Sequence, residues 1–312
     1  MKPKGIALIT LAFFAPISIF LTDLAVFSLA ILWLFDGQFI SKWNKIKSSP
    51  WMLSLLALLF LYVVGMLWGT NHQFAEWVFQ KSALLLLLPI LYTLNFNQKD
   101  IKYSLFAFLS ATTLSAFLAN LINLGWMNHL FKYSPFFAKN WHYPAFMTYT
   151  DHNVFLAFSI LITFFLLYNN FSNKKLRIVL IFISILFLLS LYTENGRSGQ
   201  LAYILIFLSF SILTFWQKKS LIFISILSLV LINLTAYFLS PHFKNRIDSI
   251  RVQLSQLEKN KLNSLNTRYY LFSYSYEKIK EKPVTGYGTG SFVKEFSSIS
   301  EHATKILAGV HR

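Results

Sequence analysis

The sequence predicts an all-α polytopic membrane protein of about nine transmembrane helices with a large, water-facing C-terminal segment. Three observations lead there. Of the 312 residues, 55% are hydrophobic and only 13% charged, about half the charge of an ordinary soluble domain. The apolar residues come in long runs without the alternation or amphipathic period of a soluble fold. The basic residues, which set a formal net charge of +16, sit in short clusters between those runs, as in a chain orienting itself against anionic lipid. No continuous basic helix or reader motif accompanies that charge, so membrane lipids and not nucleic acid are the expected partners. This composition excludes a cytosolic enzyme, a secreted disulfide scaffold and a disordered tail. Cysteine is absent, which removes disulfides, thiol nucleophiles, iron–sulfur clusters and cysteine zinc sites.

The apolar runs fall at 5–20, 22–35, 51–68, 78–94, 103–124, 153–168, 178–192, 200–216 and 220–239. A bilayer crossing needs about 20 helical residues, so several runs must borrow polar ends. One helix over 5–35 would measure about 46 Å, too long for a single crossing; Pro16 and the Leu21-Thr22-Asp23 break favour two short helices or a broken one. Splitting there sorts the connecting basic residues: twelve on one side (Lys2, Lys4, Lys42, Lys45, Lys47, Lys99, Lys102, Lys174, Lys175, Arg177, Lys218, Lys219) against four on the other (Lys81, Lys132, Lys139, Arg197). The richer side is expected to be cytoplasmic. Residues 1–239 then form the transmembrane domain, and 240–312 an outer segment whose length exempts it from the charge rule. An amphipathic helix is expected near 242–262 and a second from Thr267 to about Lys280, capped by Asn266 and stopped by Pro283. The first run has no small-residue cleavage site, so no signal peptide is expected.

Ionisable residues on the outer side fall in three places. The 125–152 loop holds His129, Lys132, Lys139, His142, Asp151 and His152; the turn 193–199 holds Arg197; the last segment holds Arg268, His302 and His311. Each also has a plain reading: Arg197 as an interfacial snorkel, Arg268 as a solvated helix residue, and Asp151 as the cap of a helix starting at Asn153. No two acids are adjacent, no H-x-x-x-H pair occurs, the glycines at 286, 288 and 290 do not spell a dinucleotide loop, and no Walker A sequence is present. Within the spans only Asp23 and Lys81 are charged, which counts against a proton-coupled transporter. What survives is an outward-facing site with arginine, whose fork suits phosphate oxygens, and histidine, whose pKa suits a general base.

These residues resemble a known family. Asn195-Gly196-Arg197-Ser198-Gly199 opening a helix is similar to the arginine turn of the O-antigen ligase and polymerase superfamily. Arg268-Tyr269, followed by Lys282-Pro283-Val284-Thr285-Gly286-Tyr287-Gly288-Thr289-Gly290-Ser291-Phe292, resembles its periplasmic signature. The resemblance implies a GT-C-type glycosyltransferase of the bacterial inner membrane. Such an enzyme moves a glycan from undecaprenyl pyrophosphate to lipid A–core or another acceptor, by metal-independent inverting transfer and without a cofactor. It also implies that Arg197 and Arg268 bind the pyrophosphate while a histidine activates the acceptor. His311 is the residue nearest to that role. The family's His-Asn motif has no matching form here, so the base is expected beyond residue 312 and the 312-residue chain is expected to be incomplete at its C-terminal end and inactive by itself. A repeat-unit polymerase is the alternative within the family; a lipid-linked glycan flippase or transporter is the alternative from another class.

The charge asymmetry makes a testable statement about orientation. Single cysteines placed in this cysteine-free chain should react with an impermeant thiol reagent in intact cells at position 140 and not at position 45. The reverse pattern would overturn the assignment.

Overall fold

The computed structural model describes residues 2–126, 145–169, 173–194, 196–257 and 264–297, and every regular element among them is helical. The chain runs α1 (Pro3–Phe14), α2 (Ile19–Phe35), α3 (Phe39–Lys47), α4 (Pro50–Gly65), α5 (His72–Ala83), a 3₁₀ turn at Leu84–Leu86, α6 (Leu87–Thr93) and α7 (Gln98–Asn123). It continues through α8 (Tyr149–Asn169), α9 (Lys174–Thr193), α10 (Arg197–Phe215), α11 (Lys219–Leu239), α12 (Pro241–Leu257), α13 (Ser264–Glu281) and α14 (Phe292–Ser297). All nine apolar runs are helical. Six stretches are long and apolar enough to cross a bilayer: His72–Thr93, Gln98–Asn123, Tyr149–Asn169, Lys174–Thr193, Ser198–Phe215 and Lys219–Leu239. The remaining runs give a pair, α2 and α3, bent by 110°, and two shorter apolar helices, Pro3–Phe14 and Pro50–Gly65. The protein is therefore a multi-pass helical membrane protein.

Local chemistry accounts for the breaks. Gly37 and Gln38 both take positive φ, 62° and 52°, the left-handed region that ends a helix, and the chain turns sharply into the basic helix α3. Pro89 has no N–H and crowds the carbonyl four residues back, which places the 3₁₀ turn between α5 and α6.

The chain divides into two compact units, residues 1–29 with 96–255 and residues 30–95 with 256–312. In the first, α8 packs on α9 and α10, and α1 on α7, around Leu156, Ile160, Phe187, Leu191, Tyr203 and Phe207. The α7–α8 seam is built of small and hydroxylated residues, with Ser159 donating to Thr112 Oγ1 at 3.0 Å, as helices in lipid associate by close packing and short polar links. Outward faces carry exposed Phe182, Ile185, Phe223 and Leu231, which belong against acyl chains. Gly5 lies against the Asp100 carboxylate, so the first ends of α1 and α7 lie together. At the opposite end of α7, Asn123 donates to Thr193 Oγ1 at 3.3 Å. Ends that the basic-residue count assigns to one side therefore meet within this unit.

In the second unit the Gly286–Gly290 turn closes the C-terminus of α4. The last carbonyls of a helix have no onward partner. Thr289 supplies two donors: its N–H to Gly65 O at 2.8 Å and its hydroxyl to Tyr62 O at 2.8 Å. Ser291 Oγ accepts from Thr70 N–H at 3.0 Å and donates to Tyr287 O at 2.5 Å. Backbones approach so closely that a Cβ at Gly69 would overlap the Thr289 carbonyl, while Gly290 takes φ 92° beside Ala75. The glycine-rich signature is thus a backbone-to-backbone clasp. Behind it, Tyr274 packs on Phe296 and donates to Glu295 O at 2.7 Å.

Two local expectations need correction. α13 is already helical at Ser264, where the described residues resume, so Asn266 lies within the helix and does not cap it. α8 starts at Tyr149, four residues before Asn153. Its opening turn is closed by Thr148, which accepts from Asp151 N–H at 3.4 Å and donates to the Asp151 carboxylate at 2.7 Å; the hydroxyl holds the position that Asp151 was expected to fill.

The clasp predicts a ranking. Gly290→Ala, strained at positive φ and crowded, should cost more than about 2 kcal/mol. Thr289→Val, which loses one hydroxyl bond, should cost about 1 kcal/mol. Thermal unfolding in detergent would read both; equal costs would refute the clasp.

Candidate functional site

The site grows from the tight reversal between α9 and α10. Glu194 leaves α9 with extended backbone and Gly196 precedes α10, whose first residue is Arg197. A turn this short leaves the α9 carbonyls unpaired, and neighbouring side chains take them: Gln200 Nε2 donates to Leu191 O at 3.1 Å and Ser240 Oγ to Tyr192 O at 2.7 Å. The Tyr192 hydroxyl donates to Asn233 Oδ1 at 2.9 Å. The end of α9 is thereby pinned from several directions.

Beneath the turn lies a buried polar row. Ser190 donates to Glu194 Oε1 at 3.0 Å, and His152 Nε2 stands 3.4 Å from the same Ser190 oxygen and 3.6 Å from Glu194 Oε1. His152 Nδ1 lies 3.1 Å from Ser115 Oγ. With the Ser190 proton committed to Glu194, a consistent network puts the imidazole proton on Nε2 and has Ser115 donate to Nδ1. His152 and Glu194 are 2% and 6% exposed. Burial pushes the Glu194 carboxyl up to about 8, against the opposing Ser190 hydrogen bond.

Asn153, wholly buried, wedges α8 against the start of α10. Its Nδ2 donates to Gly196 O at 3.4 Å. A Cβ at Gly196 would overlap the Asn153 side chain, and one at Gly199 would lie 2.5 Å from the Asn153 carbonyl carbon. Glycine at 196 makes room for the asparagine side chain, and glycine at 199 for the close approach of the α8 backbone. Among the described residues, three buried side-chain atoms have no hydrogen-bond partner: Asn153 Oδ1, Glu194 Oε2 and Tyr203 OH. All three are borne by this row or by the second turn of α10. Most buried polar groups in a folded protein are paired, so their grouping marks this region as one that did not evolve for packing alone.

Of the residues singled out from the sequence, Arg197 is the first residue of α10, at the end of the helix whose dipole favours an anion. Arg268 lies in α13, in the other compact unit. His311 lies outside the described residues, as do His129, Lys132, Lys139, His142 and His302. His152, Asn153 and Glu194 carried no assigned role beforehand. The available signal was His152-Asn153 opening an apolar run, because polar residues inside a span are rarely idle.

Residues 182–308 match the family model described as O-Antigen ligase. The match covers less than half of the chain and takes in the Glu194–Gly199 turn, Arg268 and the glycine clasp. No curated protein and no solved structure matches the chain.

The wedge can be tested by a mutant cycle. Gly196→Ala and Gly199→Ala should each destabilise by about 1–3 kcal/mol. Asn153→Ala should relieve part of the first, whose clash is with the side chain, and none of the second, whose clash includes the Asn153 backbone. Equal rescue of both would refute this geometry.

Proposed function

We propose that this protein transfers a glycan from undecaprenyl pyrophosphate to an acceptor such as lipid A–core, at the outer face of the bacterial inner membrane, as an O-antigen ligase-like glycosyltransferase. The observation that carries the reading is the O-antigen ligase match over 182–308, whose span holds both arginines and the clasp. A helical membrane body with an arginine at a helix N-terminus suits a polyprenyl headgroup. The lipid tail stays in the bilayer while the pyrophosphate meets an arginine and a helix dipole of the same sign.

In this reading Arg197 and Arg268 bind the donor pyrophosphate and neutralise the charge that grows on it as the glycosidic bond breaks. The transfer is metal-independent and inverting. The acceptor hydroxyl attacks the anomeric carbon, its proton passes to a base, and undecaprenyl pyrophosphate leaves. His311 is that base in this reading. Buried His152 takes no part in this step, since both its ring nitrogens already face serines.

The test belongs in the producing cell. Arg197→Ala or Arg268→Ala should stop acceptor glycosylation and leave undecaprenyl pyrophosphate-linked glycan to accumulate. Lysine at either position should restore little, because it keeps the charge and loses the bidentate fork. Undiminished surface glycan with both arginines replaced by alanine would overturn the reading.

A further inference from the structure

We propose that Glu194, buried against Ser190 and His152 three residues before Arg197, is a positioning residue for pyrophosphate binding that works as a neutral carboxylic acid. The inference rests on the reading of Arg197 as a phosphate ligand and deepens it. It states what the site must do with the carboxyl group that the sequence places beside that arginine.

The geometry favours the neutral form. Glu194 Oε1 receives one bond, from the Ser190 hydroxyl, and Oε2 receives none although both are buried. A carboxylate out of water needs several donors or a close cation. The groups facing it can be named. Among the described residues, α8 presents His152 and α9 presents Ser190, while Ser115 of α7 lies on the far side of the His152 ring. The Asp151 carboxylate is exposed and held by Thr148. His152 is the one titratable base among them, and its Nε2 stands 3.6 Å from Oε1, with the Ser190 oxygen closer at 3.4 Å. That is poor geometry for a buried ion pair. A proton on Oε2 removes the charge and turns an orphaned acceptor into a donor, at the turn where Asn153 Oδ1 is left without one. Burial, by holding the carboxyl up to about 8, acts in the same direction.

The consequence concerns the anion. An ionised carboxylate three residues before Arg197 would repel pyrophosphate; a protonated one does not. The proton is retained below about 8 and lost as pH rises through that value, so pyrophosphate binding weakens on the alkaline side. Glutamine, neutral at every pH and of the same shape, reproduces the competent state.

The experiment uses the purified 312-residue protein in nanodiscs of zwitterionic lipid, with undecaprenyl pyrophosphate as probe, and measures Kd against pH. The unaltered protein should bind roughly tenfold more weakly at about pH 9 than at about pH 7. Glu194→Gln should hold its affinity over that range to within about twofold. Arg197→Ala should bind weakly at every pH. An alkaline loss that persists in Glu194→Gln, or that is missing from the unaltered protein, overturns the inference while the arginine reading stands. Unchanged binding by Arg197→Ala overturns that reading and the inference with it. Infrared spectroscopy of the unaltered protein supplies a second measurement, which needs no variant to fold. A protonated carboxyl band present at about pH 6, missing at about pH 10 and assignable by Glu-specific isotope labelling supports the neutral acid; its absence at about pH 6 refutes it.

Discussion

Lipid cannot hydrogen-bond a helix end, and that constraint organises this protein. Backbone groups within a span are satisfied by the helix itself, but the last carbonyls of each helix are not. The chain places polar side chains at those ends. Lys42 reaches back across the sharp bend to donate to Trp33 O at 2.6 Å, with Asp36 at 3.2 Å and the Trp33 ring beneath it. Thr289 closes α4, and Gln200 and Ser240 close α9. Residues far apart in sequence are tied together at these points, so capping here is tertiary structure as well as local chemistry.

The clasp and the α9–α10 turn solve this problem differently. At the clasp, glycines let two backbones meet, and the polar groups present are satisfied. At the turn, glycine admits an asparagine side chain, and among the described residues there and in the second turn of α10 three buried polar atoms remain unpaired. Each unpaired group costs about 1–3 kcal/mol, and a fold selected for stability alone would have replaced them with apolar residues. Two turns with similar glycine content therefore have different character, and the distinction lies in hydrogen-bond satisfaction.

Much of the architecture was legible in the sequence because lipid imposes a one-dimensional signal: every apolar run became a helix. The break point at Pro16 was legible, whereas Leu21-Thr22-Asp23, also read as a break, lies inside α2 because none of the three residues lacks a backbone N–H. Helix starts were less legible. Asn266 and Asp151 have the side chains of caps, but Asn266 lies within α13, and α8 begins upstream of Asp151, just after Thr148. The site was legible only in its outline. Arg197 stands out because charge is rare near a span, whereas the His152–Ser190–Glu194 row joins residues of two helices. Neither helix shows by its own periodicity which neighbour it faces. Gly196 and Gly199 could be seen to matter, but Asn153, the residue they make room for, could not.

The two glycines also show how a site can be set by shape before charge. Gly199 lets the α8 backbone approach and Gly196 admits the Asn153 side chain, whose amide then fixes Gly196 O, the last carbonyl before Arg197. The backbone of the turn is held from below by an uncharged group, while the titratable row runs beside it through Ser190. The arginine's backbone is thus placed by an uncharged group, Asn153, next in sequence to the His152 that joins the titratable row. The uncharged group suits the low dielectric. A charged group used to hold the turn would also act on any anion bound above it, whereas an amide holds the backbone and leaves the electrostatics to a single proton.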